Sequence, residues 1–289
     1  MNENDRFIKI SGSGGRGHIK ETMRYTYKPS DYTFVICAYK ESPYLEECIC
    51  SLKRQRIAVN IILVTSTPNL HIDTLVKKYG LEYYVNIGKS GIAEDWNFGY
   101  RMAKGRVITL AHQDDVYEPE FAEKVLAGIN KHEFPLIAFT DYGEIRNGKR
   151  VTRNRLLNIK RIMLFPLRSR KLQEIRFIRR RILSIGSPIC CPSVTFVKGN
   201  LPRTIFTPGY RSNIDWQAWE KLSKRKGAFV YCRDILMFHR IHGGSATTAI
   251  IADHDRTKED YEMFCKFWPK WVAGMIERFY CKGEESNEI

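Results

Sequence analysis

Between Tyr32 and Thr140 the chain alternates short apolar runs with segments of helical periodicity, and few folds accommodate that order. Thr33-Phe34-Val35-Ile36-Cys37-Ala38 reads as a buried strand. Ser42-Pro43 then opens a helix, with Ser as cap and Pro in the first turn, that carries Leu45, Cys48, Ile49 and Leu52 on one face. Ile61 to Val64 predicts a second strand, Ile72 to Tyr79 a helix and Leu81 to Val85 a third strand. Ile92 to Ala103 predicts another helix, closed by Gly105, before a fourth strand at Val107 to Ala111. A helix over Pro119 to Lys131 and a strand over Leu136 to Thr140 complete the pattern. Parallel strands need crossover helices, so the expected class is α/β, a parallel sheet covered by helices.

Beyond Asp141 the order loosens. Arg146-Asn147-Gly148-Lys149 is a hairpin turn signal. Helical pieces are expected around Leu172 to Leu183, a strand over Cys190 to Val197, and a helix over Asp215 to Lys226. Phe229-Val230-Tyr231 and Ile235-Leu236-Met237-Phe238 suggest two short strands. Residues 1–30 read as a flexible extension; their Gly12-Ser13-Gly14-Gly15-Arg16-Gly17 lacks the strand and helix a phosphate loop needs, which favours a tether. Residues 31–250 form the main domain and 251–289 an amphipathic helical tail. In that tail Tyr261, Phe264, Phe267, Trp268, Trp271 and Phe279 interleave with Lys266, Lys270, Arg278 and Lys282. It either packs on the domain or rests on a membrane interface.

The 289 residues suffice for a large core, and 43% hydrophobic with 27% charged residues suits a soluble globular protein. No stretch reaches the roughly 18 apolar residues of a membrane span. The N-terminus has no signal-peptide core, so a cytoplasmic location is expected, with a peripheral position on the inner face of the plasma membrane left open. None of the eight cysteines forms a Cys-x-x-Cys pair, which argues against zinc and for reduced thiols. The net charge of +15 concentrates between Arg146 and Arg181, where fourteen Lys/Arg face the single acid Glu174. Such a segment attracts phosphates of nucleic acid, lipid headgroups or substrate.

His112-Gln113-Asp114-Asp115 follows the fourth strand. Two adjacent carboxylates at a strand end suit a hard divalent cation, Mg²⁺ or Mn²⁺, that shares its shell with substrate phosphates, and open α/β sheets bind ligands at that edge. A solvated Asp-Asp turn is the plain alternative.

These residues resemble the family 2 glycosyltransferases of the nucleotide-diphospho-sugar-binding GT-A fold, over roughly Tyr32 to Ser245. Val35-Ile36-Cys37-Ala38-Tyr39-Lys40-Glu41 is similar to the family's opening V-I-P-T-Y-N-E. Tyr44-Leu45-Glu46-Glu47-Cys48-Ile49, with Ser51-Leu52 and Gln55, is similar to its first helix. Gly91-Ile92-Ala93-Glu94-Asp95-Trp96-Asn97-Phe98-Gly99, then Ala103-Lys104-Gly105, is similar to its G-x-A-x-x-x-N-x-G…A-x-G helix. The tetrapeptide stands where the family has its D-x-D metal motif. Two departures lie on the nucleoside side and remove negative charge: Val64-Thr65-Ser66-Thr67-Pro68 replaces V-D-D-G-S, and His112 replaces the motif's first acid. They leave the donor base and sugar open.

The resemblance implies a GT-A domain whose residues 31–141 bind the nucleotide sugar and whose residues 142–250 form the acceptor half. It implies a donor site of Ala38, Tyr39 and Glu41 from the first strand, Thr65 and Ser66 from the second, Lys89, Asp95 and Asn97 around the third helix, and His112, Gln113 and Asp114. Asp114 is the main expected metal ligand, with Asp115 second. His239-Arg240-Ile241-His242 follows the last strand; there Arg240 is a candidate for the diphosphate and His242 for the metal, while His239 reads as structural. Asp215, in Asn213-Ile214-Asp215-Trp216, matches the family's general base, against the plain alternative of a helix N-cap. Burial beside Trp216 would raise its pKa from the usual ~3.9.

Trp216, Arg153 and Arg155 are the acceptor-side candidates. The basic segment then serves as an acceptor-side lid or faces anionic lipid, unless it is only a solvated surface. The implied activity is inverting, metal-dependent transfer from a nucleotide-diphosphate sugar to a hydroxyl of a cell-surface glycan precursor, a lipid-linked one fitting both readings of that segment. The competing readings are a GT-A protein that binds donor without turnover, and a nucleic-acid-binding protein, which lacks reader motifs.

Overall fold

In the computed structural model, which describes residues 26–243 and 255–285, β1 (Tyr32–Ala38) lies between β2 (Asn60–Thr65) and β4 (Val107–His112), both parallel to it. β3 (Glu82–Val85) extends the parallel run on the far side of β2. The full order is β3-β2-β1-β4-β8-β6-β9-β5, completed by β5 (Val116–Tyr117), β6 (Pro135–Arg146), β8 (Val194–Val197) and β9 (Ala228–Ile241), with β7 (Lys149–Val151) on the edge of β6.

The helices are α1 (Leu45–Lys53), α2 (Leu70–Tyr79), α3 (Ile92–Met102), α4 (Phe121–Ile129), α5 (Arg155–Met163), α6 (Arg170–Gln173), α7 (Arg176–Leu183), α8 (Ile214–Ser223), α9 (Asp255–Cys265) and α10 (Lys270–Glu285). They cover both faces, as the period-2 alternation of β1 requires. Phe34 and Ile36 join the layer containing α1, α2 and α4, while Val35 joins the layer containing α3, α8 and the C-terminal helices. Gly99 lets α3 approach the sheet closely: a Cβ there would lie 2.8 Å from Val35 Cγ1.

The sheet departs from simple alternation at β8. It runs antiparallel between β4 and β6, so β6 is parallel to β9 rather than a neighbour of β4. A buried hydroxyl cluster marks the insertion. Tyr32 Oη lies 2.6 Å from Thr109 Oγ1 and 3.1 Å from Thr195 Oγ1, and the two threonines are 2.7 Å apart, linking β1, β4 and β8.

Several boundaries move, for local reasons. Ser42 Oγ accepts from the Tyr44 N–H and stabilises a turn, so α1 starts only at Leu45. Pro192 confines residues 191–193 to a 3-10 turn before β8. Glu174 and Ile175 separate α6 from α7. The two short strands expected after Gly227 are one strand with irregular pairing near Asp141. The glycine-rich stretch 12–17 lies outside the described residues; residues 26–30 are described, and Tyr27 is buried and exchanges two hydrogen bonds with the Asn130 side chain, at 2.8 and 2.9 Å.

The C-terminal helices pack on the domain. Met263, Phe264 and Ala273 are fully buried in the core, and Trp268 Nε1–H donates to the Ser184 carbonyl at 2.7 Å. No helix among the described residues is long and apolar enough to cross a membrane.

Thr109→Val removes the shared partner of two buried hydroxyls. It should cost about 1–3 kcal/mol in denaturant unfolding, and Thr109→Ser should recover most of that loss.

Candidate active site

The C-terminal ends of β1, β2 and β4 meet in register, Ala38 opposite Thr65 and Cys37 opposite His112. This brings Tyr39, Ser66 and the 112–115 turn to one edge. Gln113 braces it: its Oε1 accepts from the Tyr39 N–H at 3.0 Å and its Nε2 donates to the Tyr39 carbonyl at 2.9 Å. Thr65 is buried and its Oγ1 accepts from the Thr67 N–H, while Thr67 Oγ1 accepts from the Lys40 N–H at 2.6 Å. Thr65 therefore shapes the backbone, and exposed Tyr39 and Glu41 stand above it.

An acid from α3 reaches the end of β2. Asp95 accepts from Ser66 Oγ through Oδ2 and from Asn86 Nδ2 through Oδ1, both at 2.6 Å. Lys89 is exposed beside Glu94 at 3.6 Å. Asn97 points elsewhere. It is buried, donates to the Phe206 carbonyl and accepts from the Ile205 and Phe206 N–H groups, so its side chain holds the 205–206 loop rather than facing the cleft.

Asp115 is the most enclosed carboxylate of the turn, with no exposure. Its Oδ1 accepts from the Arg240 N–H at 2.9 Å and lies 3.0 Å from His239 Nδ1, while Oδ2 has no hydrogen-bond partner among the described residues. His112 lies on the other side, Nδ1 4.0 Å from that oxygen, stacked on Trp96 at a ring separation of 5.0 Å. Its Nε2 is also buried without a partner among the described residues.

The two histidines are driven in opposite directions. Burial lowers His112 to about 4, against the pull of Asp114, so it is neutral. Burial would lower His239 as well, but the adjacent Asp115 carboxylate outweighs it and holds His239 above its ordinary value. Asp114 is less enclosed, and its Oδ2 lies 3.0 Å from His242 Nε2. Single ligand atoms of His112, Asp114 and Asp115 lie within 4.8 Å of one another. A neutral imidazole, two carboxylates and two buried atoms without partners fit a divalent cation. In the sequence reading His112 belonged to the nucleoside side; in space it joins this cluster, while His242 bonds Asp114.

Arg240 is tied internally. Its guanidinium donates to the Asp114 carbonyl at 2.9 Å and to Glu47 on α1 at 2.5 Å, and it lies 4.3 Å from the centre of the Tyr44 ring. It holds the turn against α1.

Asp215 sits in the first turn of α8, one residue past its start, and its Oδ1 accepts from the Trp216 N–H at 2.6 Å. It is half-buried, and the N-cap position belongs to Asn213. Burial pushes the Cys190 and Cys191 thiols well up, and the negative charges of both Asp115 and Asp215 add to that rise. Trp216 is not on the cleft: it is buried, donates to the Leu183 carbonyl at 3.0 Å and packs edge-on against Phe264. Arg153 and Arg155 are exposed around the start of α5.

Glu259 of α9 went unread in the sequence. Its carboxylate accepts from the N–H groups of Arg211, Ser212 and Asn213 and from Ser212 Oγ, at 2.6–3.0 Å, and so fixes the approach to α8. Burial opposes its charge, but these donors hold its pKa below the ordinary value. The adjacent acids Glu259 and Asp260, in the middle of α9, were the available signal.

Residues 33–199 match the model of a family described as Glycosyl transferase family 2. The chain belongs to this family. The enzyme is a glycosyltransferase of GT-A fold. TarS from S. aureus, in complex with UDP-GlcNAc, superposes with a TM-score of 0.58 at 15% identity over 85% of this chain and 70% of that one. Glucosyl-3-phosphoglycerate synthase from Mycobacterium tuberculosis, with Mn²⁺ and UDP-glucose, gives 0.56 at 15% identity over 82% and 78%. The mannosyltransferase PcManGT from Pyrobaculum calidifontis, with GDP-Man and Mn²⁺, gives 0.53 at 12% identity over 83% and 66%. At these identities the likeness is one of fold. No curated protein matches the transferase by sequence.

Because the folded pKa of Glu259 is depressed, its stabilisation is complete above the unfolded value of about 4.3 and is lost as pH falls through the folded value. Glu259→Gln should therefore lower stability at neutral pH by about 1–3 kcal/mol and flatten the acid limb of a stability–pH curve. A variant whose curve parallels the parent's would show that the carboxylate does not hold the loop.

Proposed function

We propose that the enzyme transfers a sugar, with inversion at the anomeric carbon, from a nucleoside-diphosphate sugar to a hydroxyl of a lipid-linked precursor of a cell-surface glycan. The observation that carries this reading is the placement of Asp114, Asp115 and His112 at one strand edge, with one ligand atom of each within 4.8 Å of the others. A cation site and a candidate base are what glycosyl transfer requires of a protein. The family match and the nucleotide-sugar complexes of the similar structures support the donor class. The basic acceptor half supports a phosphate-bearing acceptor at the cytoplasmic face of a membrane.

The donor is read as lying over Tyr39, Glu41, Ser66 and Asp95, its diphosphate toward Asp114. Asp215 accepts the acceptor hydroxyl proton while that oxygen bonds to the anomeric carbon. The bond from this carbon to the diphosphate oxygen breaks on the opposite side, and its electron pair leaves with the nucleoside diphosphate. Asp114, Asp115 and His112 would hold a divalent cation, which supplies Lewis-acid stabilisation of the leaving diphosphate when bound. We favour Mn²⁺, because a nitrogen donor beside two carboxylates suits a transition metal better than Mg²⁺.

Two measurements test this reading. Mn²⁺ at about 100 times its Kd should raise unfolding stability by about 2.7 kcal/mol, and Asp114→Ala should abolish that shift; a stabilisation indifferent to Asp114 rejects the site. In a metal-supplemented screen of nucleotide sugars, at least one should bind and turn over. Asp215→Asn should lower kcat by about 10²–10⁴-fold with donor affinity retained, and an equal loss of donor binding would remove Asp215 from the role of base.

A further inference from the structure

Helix α5 is partly inverted in polarity. Leu157 fills the core, but two of the three cationic side chains also face the sheet while Arg155 is exposed: Lys160 Nζ donates to Tyr142 Oη at 2.9 Å, and Arg161 bonds Asp141 Oδ2 at 2.7 Å and the carbonyls of Thr152 and Tyr142. The outward side carries Leu156, Ile159 and Ile162, at helical spacing, and continues into Phe165, with 37, 44, 73 and 61% of each residue exposed. A surface helix ordinarily presents the reverse, its apolar stripe to the core and its charges to water. The inversion is stable because the inward charges are hydrogen-bonded, and it leaves an apolar ridge roughly 13 Å long, at 1.5 Å per residue, projecting from the molecule.

The ridge is set in positive charge. Arg170, Lys171 and Arg176 are exposed and have no carboxylate partner among the described residues. The Arg168 guanidinium lies 5.0 Å from the centre of the Phe165 ring. A second apolar group adjoins: Arg181 lies over both the exposed Phe177 ring, at 5.5 Å, and the Trp268 ring, at 4.4 Å. Helix α10 exposes Trp271 and Met275, spaced i,i+4.

We propose that this face, the α5 ridge with Phe165 and the surrounding arginines and lysines, docks the enzyme on an anionic lipid bilayer. This rests on the lipid-linked acceptor of the proposed function and names the surface that brings the site to it. Aliphatic and aromatic side chains sink a short distance below the headgroups while cations pair with anionic lipid. The charge selects the occupant. A second copy docked through the same patch about a two-fold axis would set two basic faces against each other, and a bilayer receives projecting side chains without a matching pocket.

The anchoring also points to the cleft. Glu144 accepts from Asn154, the N-cap of α5, at 2.8 Å, and is paired in the sheet with His239, the partner of Asp115. The docking face and the metal cluster therefore hang on the same stretch of β6 and β9.

The test is co-sedimentation of the full-length chain with phosphatidylcholine vesicles and with vesicles containing 30% phosphatidylglycerol, read beside Mn²⁺-dependent donor binding in solution. The chain should partition onto the anionic vesicles only. Ile162→Asp with Phe165→Asp should cut that partition at least tenfold, and Arg170→Glu with Lys171→Glu by roughly fivefold per charge removed. All these variants should keep parental donor affinity and thermal unfolding. Absence of binding to anionic vesicles, or binding indifferent to the 162/165 pair, overturns the proposal. So does a dimer that dissociates on the same substitutions in a chain that ignores vesicles, or retention by an acidic protein column without any vesicle binding. Donor binding without vesicle binding refutes the docking face alone, and loss of donor binding in the parent refutes the proposed function instead.

Discussion

The site depends on one buried carboxylate. Asp115 has no exposure, and it joins the turn after β4 to the end of β9 through the Arg240 N–H and the His239 ring. These strands are far apart in sequence and not adjacent in the sheet. An ionised carboxylate in such a place is tolerable only with full compensation. The His239 ring, whose pKa the carboxylate raises, hydrogen-bonds one of its oxygens, and the neutral His112 stands beside the other. The position of Asp114 follows from this arrangement: its carbonyl is held by Arg240 and its carboxylate meets His242.

The basic segment divides by the same logic of compensation. Arg179 is almost fully buried, donates to the Gly227 and Arg225 carbonyls and lies over the Phe229 ring, and burial lowers it to about 10. Arg180 pairs with Glu220 at 2.9 Å, and Arg146 with Glu144 at 2.7 Å. A charge count over residues 146–181 therefore overstates the cationic surface, and the part that remains outside surrounds apolar side chains.

The strand–helix rhythm before Thr140 was readable because each element there carries its own period and its own stop signal, as at Asn69 and Gly80 around α2. The antiparallel β8 was not, since its partners are chosen by cross-strand contacts such as Tyr32–Thr109–Thr195 that leave no local pattern. The same limit applies to the site. The 112–115 turn stands out in one dimension. Whether Asn97, Arg240 or Trp216 face a ligand or the protein depends on partners more than a hundred residues away for the first two, and on Leu183 and Phe264 for the third. The inverted polarity of α5 is legible only when its inward neighbours, Asp141 and Tyr142, are known.

The Glu259 clasp on residues 211–213 has a consequence for synthesis. Strands β1, β2 and β4 are complete by residue 112, and they can collapse while the chain is still being made, N-terminal parts first. The loop leading into the Asp215 helix receives its anchor from a residue translated more than forty positions later. The carboxyl ends of β1, β2 and β4 therefore leave the ribosome well before the residue that anchors the entry to α8.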